Sequence, residues 1–480
     1  MMRPFLGLLL LACSPPLWAG DTYDLVIEGG RAMDPETGLD GIRNVGVREG
    51  RIARISTEIL QGKRVIRARG LVVAPGFVDL HQHGQEPESQ RVKAFDGVTT
   101  ALEMEIGVPD VEKFLRDKAG RSLIHYGTTA SHLAARAAAF GAPLADDEIL
   151  PNTGPATNEP ASTEQLAATK ARLIQQLDAG ALGVGFGIQY APGSSRSEII
   201  QMFRLAAERN VPVFTHVRSF GRVEPGSSIE AVSEVIGAAA VTGASLHIVH
   251  INSSCGKDGL ECLAMVAGAR ARGLDVTTEA YPYTAGMTSI TSALFDAGWK
   301  EKLGVEYGNL VLPGTGEHLT KERFDELHNS SRAQQVLLFS NTEETVDSII
   351  GQPLTMIASD GGPGHPRNAG TYCKVLSRYV RQQGVLTLMD AIRKASLLPA
   401  RRLERATPAA RRKGRLQEGA DADIVVFDPV TVEDRSTYQA PMEHSVGMKY
   451  VLVAGTPVIS DGNLVSDVFP GQELTGPGRR

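Results

Sequence analysis

Short apolar runs, each followed by a helix-like segment, recur along the middle of the chain. Repeated strand-then-helix units predict a parallel sheet, and a closed (β/α)8 barrel is the common solution at this length. Several runs are apolar throughout rather than at alternate positions, as in strands that are buried on both faces. The predicted barrel strands are residues 99–106, 122–126, 183–187, 211–216, 245–250, 275–280 and 356–359.

The pattern changes at both chain ends and at one internal stretch. Residues 23–73 and 423–459 contain short strand-like runs separated by glycine and charged turns, which predicts additional β-structure. Residues 284–353 are rich in glycine, charged residues and short helical pieces. We interpret this stretch as an insertion that covers one end of the barrel and forms a lid.

The first twenty residues have the order of a secretory signal peptide. Arg3 precedes the apolar run 5–12, and the small pair Ala19-Gly20 offers a cleavage site. Residues 10–13 also resemble a lipobox, so a lipid-modified Cys13 stays an alternative. The expected location is the periplasm. No other stretch contains the roughly 18 apolar residues that a membrane helix requires.

Composition narrows the possible partners. The 480 residues are 42% hydrophobic and 22% charged, with a net charge of −6, as in a soluble globular protein. A mildly acidic chain without a long basic run argues against a nucleic-acid or anionic-membrane partner.

Histidines and one aspartate fall where predicted barrel strands end. His81 and His83 follow an apolar run, His216 and His250 end two further strands, and Asp360 follows the last one. The carboxyl ends of barrel strands meet at one face, where active sites form. Four imidazoles and a carboxylate at that face predict a metal site, and the imidazole number favours zinc.

Several motifs together resemble the amidohydrolase superfamily, and within it the D-aminoacylases, or N-acyl-D-amino-acid deacylases. The matching motifs cover nearly the whole chain after the leader. They are residues 74–83 (APGFVDLHQH), 97–100 (GVTT), 180–183 (GALG), 190–193 (YAPG), 215–218 (THVR), 281–286 (YPYTAG), 359–361 (SDG), 365–367 (HPR) and 418–423 (EGADAD).

The resemblance implies a fold and a set of roles. The fold would be a TIM barrel over 75–414 beside a small β-sandwich built from 21–74 and 415–480. His81 and His83 would bind one Zn²⁺, and His216 and His250 another. Asp360 would act as general base toward a metal-activated water, which hydrolyses the amide of an N-acyl-D-amino acid without a covalent intermediate.

One position departs from the family pattern. D-aminoacylases bridge the metals with a cysteine, and an ungapped match places Ile106 there. Glu103 and Glu105 share one strand face, opposite Leu102, Met104 and Ile106. If the apolar set packs under the helices, both carboxylates point into the barrel. We therefore predict that Glu105 replaces the cysteine, with Glu103 as the alternative. Such a carboxylate is loosely associated with N-acyl-D-glutamate deacylases.

The substrate-binding residues are a second open point. After His250 this chain lacks the lysine that often contacts the substrate carboxylate in the family. Arg367 remains as a carboxylate fork. Further candidates for substrate contact are Tyr190, Tyr283 and Arg218, with Lys257 and His132 as weaker ones.

Three functions stay open at this stage. The leading one is the deacylase, an enzyme with a small-molecule substrate. The first alternative is a dipeptidase or cyclic-amide hydrolase on the same frame, several of which need a carbamylated lysine bridge. No lysine lies at a predicted strand end. The second alternative is a non-catalytic periplasmic protein that binds a metal or solute.

Overall fold

A computed structural model describes residues 22–145, 148–330 and 334–479. The predicted leader and Cys13 lie outside these residues. The strands are β1 (Thr22–Asp34), β2 (Leu39–Arg48), β3 (Arg51–Ser56), β4 (Gln61–Arg67), β5 (Val72–Pro75), β6 (Phe77–Asp79), β7 (Val98–Val108), β8 (His125–Ser131), β9 (Val184–Gly187), β10 (Val213–His216), β11 (Leu246–Ile248), β12 (Val276–Ala280), β13 (Ala285–Ser289), β14 (Leu310–Val311), β15 (Gln335–Phe339), β16 (Thr355–Ile357), β17 (Ile424–Phe427), β18 (Met448–Val453), β19 (Thr456–Ser460) and β20 (Asn463–Leu464).

Helices follow most of the central strands. They are α1 (Pro87–Phe95), α2 (Val111–Lys118), α3 (His132–Ala139), α4 (Pro155–Asn158), α5 (Thr163–Asp178), α6 (Arg196–Glu208), α7 (Ser228–Thr242), α8 (Ile251–Cys255), α9 (Gly259–Ala271), α10 (Trp299–Leu303), α11 (Lys321–His328), α12 (Glu343–Ile350), α13 (Arg367–Lys374), α14 (Leu388–Ile392) and α15 (Leu398–Leu403). Within the part of the chain described here, no helix is long and apolar enough to cross a membrane.

Eight parallel strands confirm the predicted barrel. They pair in the order β6, β7, β8, β9, β10, β11, β12 and β16. Beyond the ends of β6 and β16, Gln82 forms a parallel bridge with Gly361. The backbone N–H of His83 also donates to the carbonyl of Gly361 at 2.7 Å. The first and last strands therefore meet at the carboxyl face, which brings their functional residues together.

One barrel strand lies later in the sequence than its pattern predicted. We expected a strand at 122–126, whereas β8 spans His125–Ser131. The chain before β8 pairs instead with the C-terminal tail, where the N–H of Gly471 donates to the carbonyl of Ser122. The N–H of Leu474 likewise donates to Tyr126 at 2.7 Å. The tail therefore packs against the barrel beside β8, which a local pattern does not reveal.

The strands from both chain ends form one nine-stranded sheet. Its order is β20, β19, β18, β17, β5, β1, β2 and β3, with β4 beside β1. The two ends meet where β5 pairs antiparallel with β17, and Ile424 lies opposite Pro75. Buried apolar side chains of this sheet and its flanking loops, from both chain ends, form a core separate from that of the barrel. Because β6 begins two residues after β5 ends, this sheet anchors the first barrel strand.

The insertion forms a small unit with its own core. Strands β13, β15 and β14 make a three-stranded antiparallel sheet. Phe295, Trp299 and Phe324 pack together beneath it. The unit is shorter than the predicted stretch 284–353, because Val346, Ile349 and Ile350 of α12 belong to the main barrel core.

Candidate metal centre

Six predicted site residues lie at the carboxyl face of the barrel. Each follows a buried strand or ends one, so the strand fixes its backbone while its side chain points into the shared opening. The residues and their strands are His81 and His83 after β6, Glu105 near the end of β7, His216 at the end of β10, His250 after β11 and Asp360 after β16.

The first group of possible ligands contains His81, His83, Glu105 and Asp360. His81 Nε2 lies 3.2 Å from His83 Nε2 and 3.1 Å from Glu105 Oε2. Asp360 Oδ1 lies 3.4 Å from His81 Nε2 and 3.2 Å from His83 Nε2. Tetrahedral zinc with bonds of about 2.0–2.1 Å separates its ligand atoms by roughly 3.3 Å. These separations of 3.1–3.4 Å therefore match the spacing of ligand atoms around one zinc ion.

The second group shares Glu105 with the first. Glu105 Oε1 lies 2.9 Å from His216 Nδ1 and 2.8 Å from His250 Nε2. Each of the two oxygens of Glu105 thus faces a different group of histidines. This is the arrangement that a carboxylate bridging two metal ions would need, so the bridging role predicted for Glu105 is compatible with its position.

Glu103, the alternative bridge, has a different position. Its Oε2 lies 2.6 Å from His83 Nδ1. Its Oε1 accepts the backbone N–H groups of Ile106 and Gly107 at 3.2 and 3.3 Å. Glu103 therefore accepts a hydrogen bond from His83 Nδ1–H, which leaves Nε2 with its lone pair toward the centre.

The other histidines are oriented by partners that sequence analysis missed. Glu279 Oε1 lies 2.7 Å from His81 Nδ1, and Gln189 Oε1 lies 2.6 Å from His216 Nε2. Glu279 lies in a predicted strand, so the alternation of side chains along that strand could have suggested that it points into the barrel. Gln189 directly precedes Tyr190, a predicted site residue. Its contact with His216 exists because β9 and β10 are neighbours in the barrel. Partners of this kind fix the tautomer and ring direction of a ligand histidine.

The electrostatics of the cluster favour a bound cation. Burial alone would lower the pKa of His81, but the charges of Glu105 and Asp360 raise it to about 10. Burial would raise the pKa of Glu105, yet the charges of His81 and His250 hold it well below its usual value. Asp360 has a depressed pKa despite burial, because Arg367 and His81 stabilise its charge. A divalent ion would take the place of the protons that this negative site attracts.

Two ligand positions have strained backbones. Asp360 has a φ of 50° and His250 a φ of 27°, conformations that few residues other than glycine adopt. Such strain persists only where the surroundings enforce it, and it is frequent in functional sites.

A cavity of about 430 Å³ opens above the centre. Tyr190 and Arg367 are part of its wall, as predicted. Arg367 is 1% exposed, and its guanidinium lies 4.6 Å from the ring centre of Tyr281. Its Nη1 is 2.9 Å from Asp360 Oδ2, but its Nε and Nη1 have no well-aligned hydrogen-bond acceptor. Arg367 therefore places a positive charge in the cavity wall, which suits a substrate carboxylate.

The structure corrects two predicted substrate contacts. Arg218 does not line the described cavity, because its guanidinium forms a two-pronged ion pair with Glu234 at 2.7 and 2.8 Å. Tyr283 is buried behind the cavity, where its hydroxyl lies 3.5 Å from the carbonyl of Pro366. Tyr283 also packs against His365, so it supports the segment that carries Arg367.

The two weaker candidates also lie outside the cavity wall. His132 Nε2 is 2.9 Å from Glu198 Oε1, inside a buried cluster between α3 and α6. Lys257 follows α8 and is not among the lining residues that the structure describes. Neither side chain is placed to contact a substrate.

The family model for the amidohydrolase family matches residues 64–459. The chain therefore belongs to this family. It is also similar to the N-acyl-D-glutamate deacylase of Alcaligenes xylosoxydans xylosoxydans, with 32% identity over 91% of this chain and 94% of that one. The D-aminoacylase of the same organism is 29% identical over 91% of this chain and 94% of its own length.

Solved structures give the same relationship. The N-acyl-D-glutamate deacylase of Bordetella bronchiseptica, in complex with zinc and a phosphonate that mimics the tetrahedral intermediate, superposes with a TM-score of 0.78. The match has 27% identity and covers 95% of this chain and all of that one. A D-aminoacylase described with a binuclear metal centre gives a TM-score of 0.80 at 25% identity, over 95% of this chain and 100% of its own.

Proposed function

We propose that this protein hydrolyses the amide bond of N-acyl-D-amino acids, releasing a carboxylate and a free D-amino acid. The observation that carries the proposal is Glu105, whose two oxygens face two separate groups of histidines. The relatives named above act on N-acyl-D-glutamate and related substrates according to their names, which supports the same reaction class.

The residues present fit zinc as the metal. His81, His83, His216 and His250 would supply the imidazoles, and Glu105 would join the two positions. Nitrogen and carboxylate donors at this spacing suit Zn²⁺, and Asp360 lies against the first position. A bound divalent ion would activate a water molecule and polarise the amide carbonyl.

The chain itself supplies binding and proton transfer. Arg367 would hold the substrate carboxylate with a planar fork, which fixes the acyl group over the histidines. Asp360 is ionised and borders both the histidines and Arg367. It would take the proton of the attacking water at one carboxylate oxygen and pass it to the leaving amine. The lid residues Met287 and Leu294 reduce the access of bulk water.

The two alternatives have less support. A dipeptidase or cyclic-amide hydrolase of the carbamylated type would need a lysine at a barrel strand end, and no lysine lines the described cavity. A non-catalytic binding protein predicts a lost ligand or base, yet the described site has both Glu105 and Asp360 in position.

Paired substrates and metal analysis test the proposal. Purified protein should contain about one or two zinc ions per chain and release amine from N-acetyl-D-amino acids but not from their L-enantiomers. Removal of the metal with a chelator should abolish turnover, and added Zn²⁺ should restore it. Bound zinc without turnover of any N-acyl-D-amino acid would contradict the deacylase assignment.

We further propose that the protein is exported to the periplasm. The support is the order of charged, apolar and small residues in positions 1–20. Cell fractionation with the full-length chain tests this, and the Cys13→Ala variant distinguishes a lipid anchor from simple cleavage. Retention of an uncleaved chain in the cytoplasm would contradict it.

A further inference from the structure

We infer that the cavity selects N-acyl-D-amino acids with a single carboxylate and otherwise apolar groups, and that it disfavours N-acyl-D-glutamate. The inference rests on the proposed function and narrows its substrate class. It is of interest because a relative named above is an N-acyl-D-glutamate deacylase.

The first argument is the charge of the cavity wall. Arg367 is the one lysine or arginine among the lining residues that the structure describes. One guanidinium, which also contacts Asp360, can hold at most one substrate carboxylate. A second carboxylate would enter a partly buried space without a cationic partner, which is unfavourable. Glu86 and Glu148 also line the cavity, and their negative charges would repel it.

The second argument is a continuous apolar surface beside the metal centre. We call it the apolar wall, and it consists of Ile106, Ile149, Leu150, Tyr190 and Leu294. Ile106 directly follows Glu105, so the wall borders the reacting bond. Ile149 and Leu150 come from the loop after α3, and Leu294 comes from the lid. A hydrocarbon side chain or acyl chain would remove this surface from water.

The register of β7 explains why Ile106 joins this wall. We expected Ile106 to pack under the helices with Leu102 and Met104, on the face opposite Glu105. The pairing of β7 with β8 shifts between Glu103 and Val108, so strict alternation ends there. Ile106 therefore lines the cavity beside Glu105. The residue at the family's cysteine position thus contributes to substrate binding in place of metal binding.

Three N-acetyl-D-amino acids test the inference on the unmodified zinc-loaded enzyme. D-leucine offers an apolar side chain, and D-glutamine and D-glutamate differ in charge at nearly equal size. We expect kcat/KM to fall from leucine to glutamate by at least about 100-fold, and from glutamine to glutamate by about 10-fold. Equal or faster turnover of the glutamate derivative would overturn the inference while leaving the deacylase function intact. No turnover of any D-derivative would instead refute the proposed function.

A second series separates side chain from acyl group. Derivatives of D-alanine with acetyl, butyryl and octanoyl groups show whether the wall receives the acyl chain. A rise in kcat/KM along either the side-chain series or the acyl series supports an apolar site and identifies its occupant. Flat profiles in both series would overturn the role of the wall.

Charged substitutions in the wall provide the matched test. Leu294→Lys and Ile149→Lys each place a cation beside the substrate, on two different segments. Each should raise the glutamate-to-leucine ratio of kcat/KM by about 10-fold. Val241→Lys, at a side chain that is 68% exposed on α7, is the control and should leave the ratio unchanged. An unchanged ratio in whichever wall variant folds would overturn the inference.

Discussion

Glu103 and Glu105 contact the same histidine, His83, at its two different ring nitrogens. Glu103 Oε2 lies 2.6 Å from Nδ1, and Glu105 Oε2 lies 3.2 Å from Nε2. Two carboxylates on one strand therefore have separate tasks. Glu103 orients the imidazole. Glu105 faces the centre itself, where its two oxygens could bridge two ions.

With Glu105 in the proposed bridging role, a carboxylate would stand in for the thiolate bridge of the D-aminoacylases. A cysteine offers one sulfur to both metals, whereas Glu105 offers a separate oxygen to each group. The side chain of Glu is also longer, so its backbone can lie one residue earlier in the strand. The vacated family position is then free for Ile106, which lines the cavity.

Loss of the Glu105 charge should remove metal and activity together. In Glu105→Gln, we expect zinc content to fall and kcat/KM to drop by more than the 10–100-fold typical of an outer-shell residue. Metal analysis and amine release measure both. Glu112→Gln, on the exposed side of α2, is the control. Wild-type activity with wild-type zinc content would refute the bridging role.

Glu103→Gln should have a milder, metal-dependent effect. The variant keeps the size of the side chain but weakens its hold on His83 Nδ1. We expect about 10–100-fold weaker zinc binding, with most activity regained in excess Zn²⁺. Titration of the metal-free variant with zinc checks this. A defect that excess zinc does not relieve would mean that Glu103 does more than orient His83.

Gln189→Leu should affect the second group of histidines. Without the acceptor at Gln189 Oε1, the ring of His216 loses the bond that directs Nδ1 toward Glu105. We expect about 10-fold or greater loss of the more weakly held ion, measured as metal stoichiometry across a zinc titration. Gln189→Glu keeps the acceptor and should retain the stoichiometry. Equal metal loss in both variants would contradict the orienting role.

Arg367→Lys should show that carboxylate recognition requires a fork. Lysine keeps the charge but provides a single point donor. We expect kcat/KM for N-acetyl-D-leucine to fall about 100-fold, whereas N-acetyl-D-leucinamide, which has no carboxylate, should change much less. The ratio of the two substrates separates binding of the carboxylate from the contact of Arg367 with Asp360. An equal loss for both substrates would argue against carboxylate binding.

The buried environment of Asp96, a residue outside the candidate metal centre, predicts that the stability of the protein depends on pH. Burial raises its pKa to about 7, although the charge of Lys93 opposes the rise. The unfolded value is near 3.9, so the folded state binds the proton more tightly. The contribution of protonated Asp96 to the free energy of unfolding is therefore complete below about pH 4. It is lost as pH rises through 7, at up to roughly 1.4 kcal/mol per pH unit.

The Asp96→Asn variant isolates this effect. Asp96 accepts the backbone N–H groups of Tyr372 and Cys373 at 2.8 Å, so the variant loses a hydrogen bond at every pH. The advantage of the wild type in unfolding free energy should nevertheless shrink between pH 5 and pH 8. Denaturant unfolding at these pH values measures it. A constant difference would show that Asp96 is ionised throughout this range.

The sequence by itself determined the barrel architecture and which candidate donor residues meet at one face. Apolar runs followed by helices predicted the barrel, because a strand covered on both faces must be apolar throughout. Histidines at the ends of those runs had to meet at one face, because parallel barrel strands end together. A carboxylate in place of the family cysteine could also be predicted, since Glu103 and Glu105 share a strand face.

The tertiary structure decided which atoms meet. Side-chain parity cannot distinguish Glu103 from Glu105, because the choice depends on the depth of each along β7. Partners such as Gln189 follow the ends of neighbouring strands, and their distances depend on how those strands are placed. Arg218 was a further candidate for substrate contact beside Arg367, but Glu234 occupies its guanidinium. Contacts between residues far apart in the chain depend on how whole strands are placed, and local patterns carry no information about that placement.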